Sequence, residues 1–421
     1  MGRRAKTAGA LVLGLALGGA AAAQDGPDHG PLFEAVWETV DRNFYDPGFN
    51  GADWAAIGER YRARLDGARD DAAFAALANA MLAELAVSHL RLSPPAADQG
   101  FRGVGARFET IGGASVAVEV SPFSDAWRQG LRPGDQLMSD ASALRGPPDE
   151  AARLTVRTCA GERRELTVAR MAAGWPPEQP GWRWSRISPR PGLQVGHLRV
   201  DRFDDGAAEL ADQAMAALGG TGALIIDLRA NSGGNTSALR LASHFMPEGA
   251  APAFALFARG HLDALGRAPD ADDIADGPRV AGAYTDAAVF EAVSAHDGAA
   301  VFLTDPLDGR RYEGAVIVLI GPDTGSAAEG FAWLLRTRSA ARFVGRETAG
   351  ALLSGERFAL PGGWTLTVPV HGIWGPDGQD LADAPVAPDI ATAWSREDLC
   401  SGADPDLEAA FALVSELSGA D

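Results

Sequence analysis

Lysine is almost missing from this chain. Of 421 residues one is lysine, Lys6, so beyond that position every permanent cation is an arginine and no side-chain amine is available for chemistry. Cysteine is nearly as scarce, with Cys159 and Cys400 alone. An oxidising compartment permits a bridge between them, two buried thiols are equally compatible with the sequence, and nothing in the spacing decides. No cysteine and histidine cluster has metal-ligand spacing, so neither a metal nor another cofactor is expected. Positive charge is in short supply: 37 Lys and Arg stand against 56 Asp and Glu, for a formal net charge of −19. Coulomb repulsion makes nucleic acid and anionic membrane surfaces poor partners. No apolar run reaches the ~20 residues that span a bilayer.

The first 23 residues do have a recognisable pattern. Arg3, Arg4 and Lys6 precede an apolar stretch from Ala8 to Ala22, and Ala21, Ala22 and Ala23 offer a small-residue cleavage site. This is the layout of a secretory signal peptide. It predicts a mature chain from Gln24, three charges more negative and free of lysine, in the periplasm or secreted, with no membrane insertion after cleavage.

The remainder divides by texture into an α/β multidomain chain. Residues 24–95 read as a helical domain, because Leu32, Val36, Trp37 and Val40 recur at helical spacing and Asp71 opens a second run through Leu85. Residues 96–173 change to alternating strands and turns. The loop Gly103-Val104-Gly105-Ala106 and the turn Gly130 to Asp135 resemble those of a PDZ domain, which implies that residues 103–106 bind a peptide carboxylate while the peptide extends a sheet edge. A Pro- and Trp-rich stretch, 174–192, reads as a linker. From 193 to 421 strand and helix alternate as in a layered α/β domain, with residues 255–312, heavy in Ala, Asp and Gly, expected as an insertion over one face.

Two turns in that last region carry chemistry. Gly321-Pro322-Asp323-Thr324-Gly325-Ser326-Ala327-Ala328-Glu329 follows an apolar strand and opens a helix, which sets the Ser326 hydroxyl at the positive end of a helix dipole. Ser326 with Glu329 three residues on is equally a capping box. The second turn, Leu228-Arg229-Ala230-Asn231-Ser232-Gly233-Gly234-Asn235, follows a strand from Ala223 to Asp227, and its paired glycines let backbone N–H groups approach a carbonyl.

Taken together, Ile225 to Gly234 and Thr324 to Glu329 resemble the signatures of the C-terminal (tail-specific) processing peptidases and their tricorn-like relatives. Val195 to Val200 with Phe203, Gly345 to Gly350, and Pro388-Asp389-Ile390 resemble the same family in the same order. The resemblance implies a crotonase- or Clp-protease-like catalytic core and an exported serine endopeptidase. It implies hydrolysis through an acyl-enzyme on Ser326, an oxyanion site from the N–H of Gly233 or Gly234 and of Ala327, and a peptide or protein substrate, taken through its C-terminus.

A serine needs a base. Processing peptidases of this family use a lysine whose position is here Ala351, and no lysine elsewhere replaces it. The tricorn-like branch uses a histidine preceded by serine at the end of the helical domain, matched by Ser88-His89, and an imidazole of pKa ~6.5 suits a base at neutral pH. That branch supports the site with an acid whose position is here Ala382, flanked by Asp380 and Asp383 as substitutes. The missing acid sustains a rival reading, a catalytically reduced peptide- or ligand-binding protein on the same scaffold.

Overall fold

The computed structural model describes residues 28–95, 102–147, 150–171, 181–246, 250–307 and 311–417. The expected signal, residues 1–23, lies outside them. Helix α1 (Gly30–Asn43) starts with Pro31 in its first turn and buries Leu32, Phe33, Val36 and Val40 along one stripe. Asp53 caps α2 (Trp54–Arg62) by accepting the Ala56 N–H at 3.0 Å, and Asp70 caps α3 (Asp71–Leu82) through Ala73 at 2.7 Å. The chain then turns through Ser88 and His89 into strand β1 (Arg91–Ser93).

A compact antiparallel unit follows: β2 (Arg102–Gly103), β3 (Ala106–Ile111), β4 (Ala114–Val120), the short helix α4 (Asp125–Arg128), β5 (Gln136–Leu137), β6 (Arg145–Gly146), β7 (Ala152–Arg157) and β8 (Arg163–Val168). Its sheet runs β3-β4-β5-β7-β8, with β2 paired to β6, around a core of its own that includes Val104, Ala117, Leu154 and Val168.

The third region begins with β9 (Trp182–Arg190) and β10 (Leu193–Val200), then α5 (Ala207–Leu218), β11 (Ala223–Asp227), α6 (Ala238–Ser243), β12 (Pro252–Ala258), α7 (Arg259–Leu265), α8 (Ala271–Asp276), β13 (Arg279–Val280), α9 (Asp286–Ala295) and β14 (Ala299–Leu303). It continues through β15 (Ala315–Ile320), α10 (Ala327–Arg338), β16 (Arg342–Gly345), β17 (Ser354–Ala359), β18 (Thr365–Trp374), β19 (Ile390–Ala391), α11 (Arg396–Ser401) and α12 (Pro405–Leu417). Among the described residues no helix is long and apolar enough to cross a membrane.

Two six-stranded sheets result. One runs β19-β16-β15-β11-β10-β9, parallel except where β9 meets β10. Its central strands read as unbroken apolar runs because both faces are covered: Val195, Ile225 and Leu319 pack on α12, while Leu198, Ile226 and Val318 face α5, α6 and α10. The other runs β1-β18-β12-β14-β13, with β17 on the free side of β18. It is the middle layer, since along β12 Leu256 faces the α/β side while Ala255 and Phe257 face α1 to α3.

Three expectations change here. The stretch read as a linker contains strand β9 over residues 182–190, in which Trp182 and Trp184 alternate with polar residues and pack on the main core; residues 174–180 lie outside the described residues. The 255–312 segment is no insertion over a face, because β12 and β14 stand in the interior of the second sheet. The helices of 24–95 do not close a core alone: Phe33, Val36, Phe74 and Leu85 share one with Phe257, Leu366, Val368 and Trp374.

Candidate active site

Strand β15 ends at Ile320, and the following turn is pinned to its neighbours before the helix begins. The Thr324 hydroxyl accepts the Gly321 N–H at 3.0 Å and donates to the Leu228 carbonyl at 2.9 Å, and the Gly325 N–H reaches the Asn231 carbonyl at 3.0 Å. Held this way, Ser326 adopts φ 51° and ψ −125°, outside every region an ordinary L-residue occupies comfortably. Such strain persists only where the surroundings enforce it. Ser326 and Glu329 close a capping box, the Ser326 N–H donating to the Glu329 carboxylate at 3.1 Å and the Glu329 N–H meeting the Ser326 carbonyl at 2.8 Å. In such a box the serine hydroxyl oxygen only accepts, so its own proton stays free to be given to a base.

Gly233 and Gly234 press against this turn. A Cβ on Gly233 would stand 2.6 Å from the Ser326 Cβ and 2.9 Å from the Gly325 oxygen, and a Cβ on Gly234 would stand 1.9 Å from the Phe203 oxygen. Both are at positive φ, 111° and 137°. The two N–H groups differ in a way that sequence alone left open. Gly233 donates to Asn231 Oδ1 at 2.8 Å, whereas Gly234 and Ala327 donate to no group among the described residues.

His89 arrives from the other side, on the link between α3 and β1, at φ 59°. Its Nδ1 lies 3.0 Å from the Ser88 hydroxyl, which leaves Nε2 as the open nitrogen. Behind it is Gly355 of β17, where a Cβ would come within 3.3 Å of the His89 Cβ. His89 and Ser326 line one cleft of about 470 Å³ and are not hydrogen-bonded to each other. Burial lowers the His89 pKa, and no carboxylate offsets it. Asp380 lines a different recess with Tyr45 and Asp46, its Oδ1 accepting the Ala382 N–H at 2.9 Å, and Asp383 is exposed. Neither flanking acid is bonded to Ser88 or His89. Ala382 itself is packed in the apolar layer under the helices.

Glu329 does more at the site than the capping role its spacing predicts, and a further pair had no sequence signal. The Glu329 carboxylate, only 1 % exposed, accepts from the Ser326 N–H at 3.1 Å, the Thr348 hydroxyl at 2.6 Å, the Gly350 N–H at 2.5 Å and the Ala351 N–H at 2.7 Å. It ties the strap at 348–351 to the start of α10, with Ala351 beside the Ser326 turn. Its signal was the i, i+3 spacing from Ser326. Ser354, which lines the cleft, hydrogen-bonds His371 Nδ1 at 3.0 Å across a bulge between β17 and β18, a pairing without local sequence signal.

The small β unit is docked beside the turns. Arg107 Nη1 of β3 reaches Asp323 at 3.0 Å, Arg346 lies 3.5 Å from Glu109, and Arg199 pairs with Glu119 at 2.7 Å. Cys159 and Cys400 form a disulfide that joins the end of β7 to α11, and Arg396 Nε adds a hydrogen bond to the Gly134 carbonyl at 2.8 Å. Residues 103–106 lie outside the cleft: Gly103 pairs within β2, Val104 is fully buried, Gly105 accepts the Ser121 N–H at 2.9 Å, and Ala106 begins the edge strand β3. Among the described residues no group of histidine, cysteine or acidic side chains is arranged to hold a metal.

Comparison with known proteins agrees with this architecture. Residues 194–392 match peptidase family S41, and residues 31–83 match the tricorn protease C1 domain. The chain is 25% identical over 394 residues to carboxyl-terminal-processing peptidase 2 of Arabidopsis thaliana, covering 85% of this chain and 68% of that protein. It is 24% identical to the carboxyl-terminal-processing protease of Synechocystis, covering 98% and 95%. The solved photosystem II D1 C-terminal processing protease superposes with a TM-score of 0.57 at 21% identity, over 94% of this chain and 98% of that one. A strained serine between a parallel strand and a helix, faced by two glycines and sharing a cleft with His89, therefore lies within the stretch, residues 194–392, that matches peptidase family S41.

Proposed function

We propose that the protein is an exported serine endopeptidase whose nucleophile is Ser326 and whose general base is His89. The observation that carries the reading is the forced backbone of Ser326 in the same cleft as a part-buried imidazole whose Nδ1 is taken by Ser88, leaving Nε2 for the serine. In the forward step Ser326 Oγ bonds to the peptide carbonyl carbon and its proton passes to His89 Nε2. The tetrahedral oxyanion takes the N–H groups of Gly234 and Ala327. Of the two glycines Gly234 is the better donor, because Gly233 is already engaged by Asn231. Collapse expels the amine, protonated by His89, and water repeats the sequence on the acyl-enzyme. A Ser/Lys pair is not available, since Ala351 holds the position beside the turn and the chain has no lysine after Lys6.

With Ala382 in place of an acid, Ser88 alone orients the imidazole, so we read the site as a Ser-His arrangement without a carboxylate. The β unit of 102–171 we read as PDZ-like, its edge strand β3 free to take a peptide, and the N-terminal pattern as an export signal to the periplasm. The test is labelling with a serine-reactive fluorophosphonate. Wild type should label and hydrolyse peptides, Ser326→Ala should do neither, and His89→Ala should lose both by orders of magnitude. Equal labelling of Ser326→Ala would remove the assignment, and folded wild type that binds peptides without cutting them would favour a binding protein.

A further inference from the structure

The cleft does not stop at the serine. Beyond Ser326 it runs into a recess walled by Leu239 of α6, Leu256 of β12, Val289 and Phe290 of α9, Phe331 of α10 and Ile373 of β18. These six side chains come from five elements and offer no hydrogen-bonding atom. Polar groups line the cleft as well: the Thr236 hydroxyl donates to the Ala283 carbonyl, Arg202 Nε is held by Asp204 at 2.6 Å, and Asp286 stands in the first turn of α9. Against the six apolar walls themselves an apolar side chain gains burial, whereas a charged one loses water that none of them replaces. The cleft volume of about 470 Å³ falls in the range of sites that enclose whole organic groups.

We propose that this recess receives the side chain on the acyl side of the scissile bond and selects large apolar residues, phenylalanine, leucine and methionine, over alanine and over charged residues. The proposal rests on Ser326 being the nucleophile. Helix α9 is the element that sets the preference, since it lies in the segment between β12 and β14 and supplies two of the six walls. It also backs the catalytic side: the Phe290 ring packs 5.1 Å from His371, His371 bonds Ser354, and the next residue, Gly355, abuts His89. The wall that reads the side chain is thus continuous with the strand behind the imidazole.

Two measurements separate this inference from the peptidase reading. In the first, Ser326→Ala protein is titrated by calorimetry with N-acetyl tetrapeptides ending in Phe, Leu, Ala, Asp or Lys, which present product-like side chains and need no catalysis. Phe and Leu should bind at least about tenfold tighter than Ala, and Asp and Lys weaker than Ala. In the second, wild type and Val289→Trp, which fills the recess, are assayed on quenched peptides differing at that residue, and the variant should reverse the Phe-over-Ala order. Binding of Ala as tight as Phe, or a folded Val289→Trp that keeps the Phe preference, would overturn the pocket. Should the product preference hold while wild type neither labels with fluorophosphonate nor cuts, the pocket stands and the peptidase reading falls; labelling without an apolar preference has the opposite meaning.

Discussion

Replacing Gly233 by alanine probes the nucleophile turn more sharply than removing the serine, because it leaves every reacting atom in the protein. The added methyl would lie 2.6 Å from the Ser326 Cβ, 2.9 Å from the Gly325 oxygen and 3.1 Å from the Ala327 nitrogen. Two of these three are backbone atoms and cannot rotate away. The φ of 111° adds a conformational cost of about 1–3 kcal/mol, and overpacking adds a similar amount. A total of roughly 2–6 kcal/mol is relieved by moving the Gly233 turn away from Ser326. That movement takes the neighbouring Gly234 N–H out of line, and losing one oxyanion donor costs about 10²–10³ in rate. The control is Gly192→Ala: Gly192 is also at positive φ, 83°, but a Cβ there meets nothing within 4 Å. It should cost about 1 kcal/mol from conformation alone and leave activity unchanged. Urea melts give the stabilities, and kcat/KM with the fluorophosphonate labelling rate reads the site. If Gly233→Ala behaves like Gly192→Ala in both readouts, the close approach does not govern the site and the reasoning fails.

Two further outcomes follow from the same geometry. Burial lowers the His89 pKa, and the neutral imidazole is the working form, so kcat/KM should be full at neutral pH and fall as acid titrates the ring, with a midpoint below ~6.5; a midpoint at 7.5 or above would exclude His89 as base. The Cys159–Cys400 bridge spans 241 positions, for which chain entropy gives about 5 kcal/mol at 25 °C as an upper figure, so reduction, or the Cys159→Ser/Cys400→Ser pair, should lower the melting midpoint by several degrees; superimposable melts would show that the bridge does not constrain the unfolded chain.

What could be read from sequence was what a single stretch of chain decides. The strands Ala223–Asp227 and Ala315–Ile320 stood out because a parallel strand covered on both faces becomes an uninterrupted apolar run. The turns at 228–235 and 321–329 stood out because Gly, Asn and Ser must occupy them. Strand β9 was hidden by its Pro- and Trp-rich context. Strands β12 and β14 were hidden because alanines fill so much of them, among them Ala253, Ala255, Ala299 and Ala300, and because Asp-rich helices lie between the two. Long-range facts had no local signal at all: the pairing of the cysteines, the shared core under α1 to α3, and Ser354 against His371. The substitutes proposed for the missing acid failed for a similar reason, since adjacency to Ala382 in sequence did not fix the direction in which Asp380 and Asp383 point.

The network behind the Gly233 turn also bears on the order in which that turn can be completed. Arg229, which leads into that turn, is 7% exposed, and its counter-charges are Asp227, Asp404 at 2.8 Å and Asp406 at 3.0 Å, the last wholly inaccessible. A guanidinium buried without its partners is strongly destabilising. During synthesis the chain emerges amino end first, so Ser88, His89 and Ser326 are all outside the ribosome well before residues 404 and 406. Until those two carboxylates are in place, Arg229 lacks two of its three counter-charges. A chain cut before residue 404 would therefore keep both turns but leave Arg229 with Asp227 alone, so the stability of the Gly233 turn is set in part by residues more than 170 positions away in sequence.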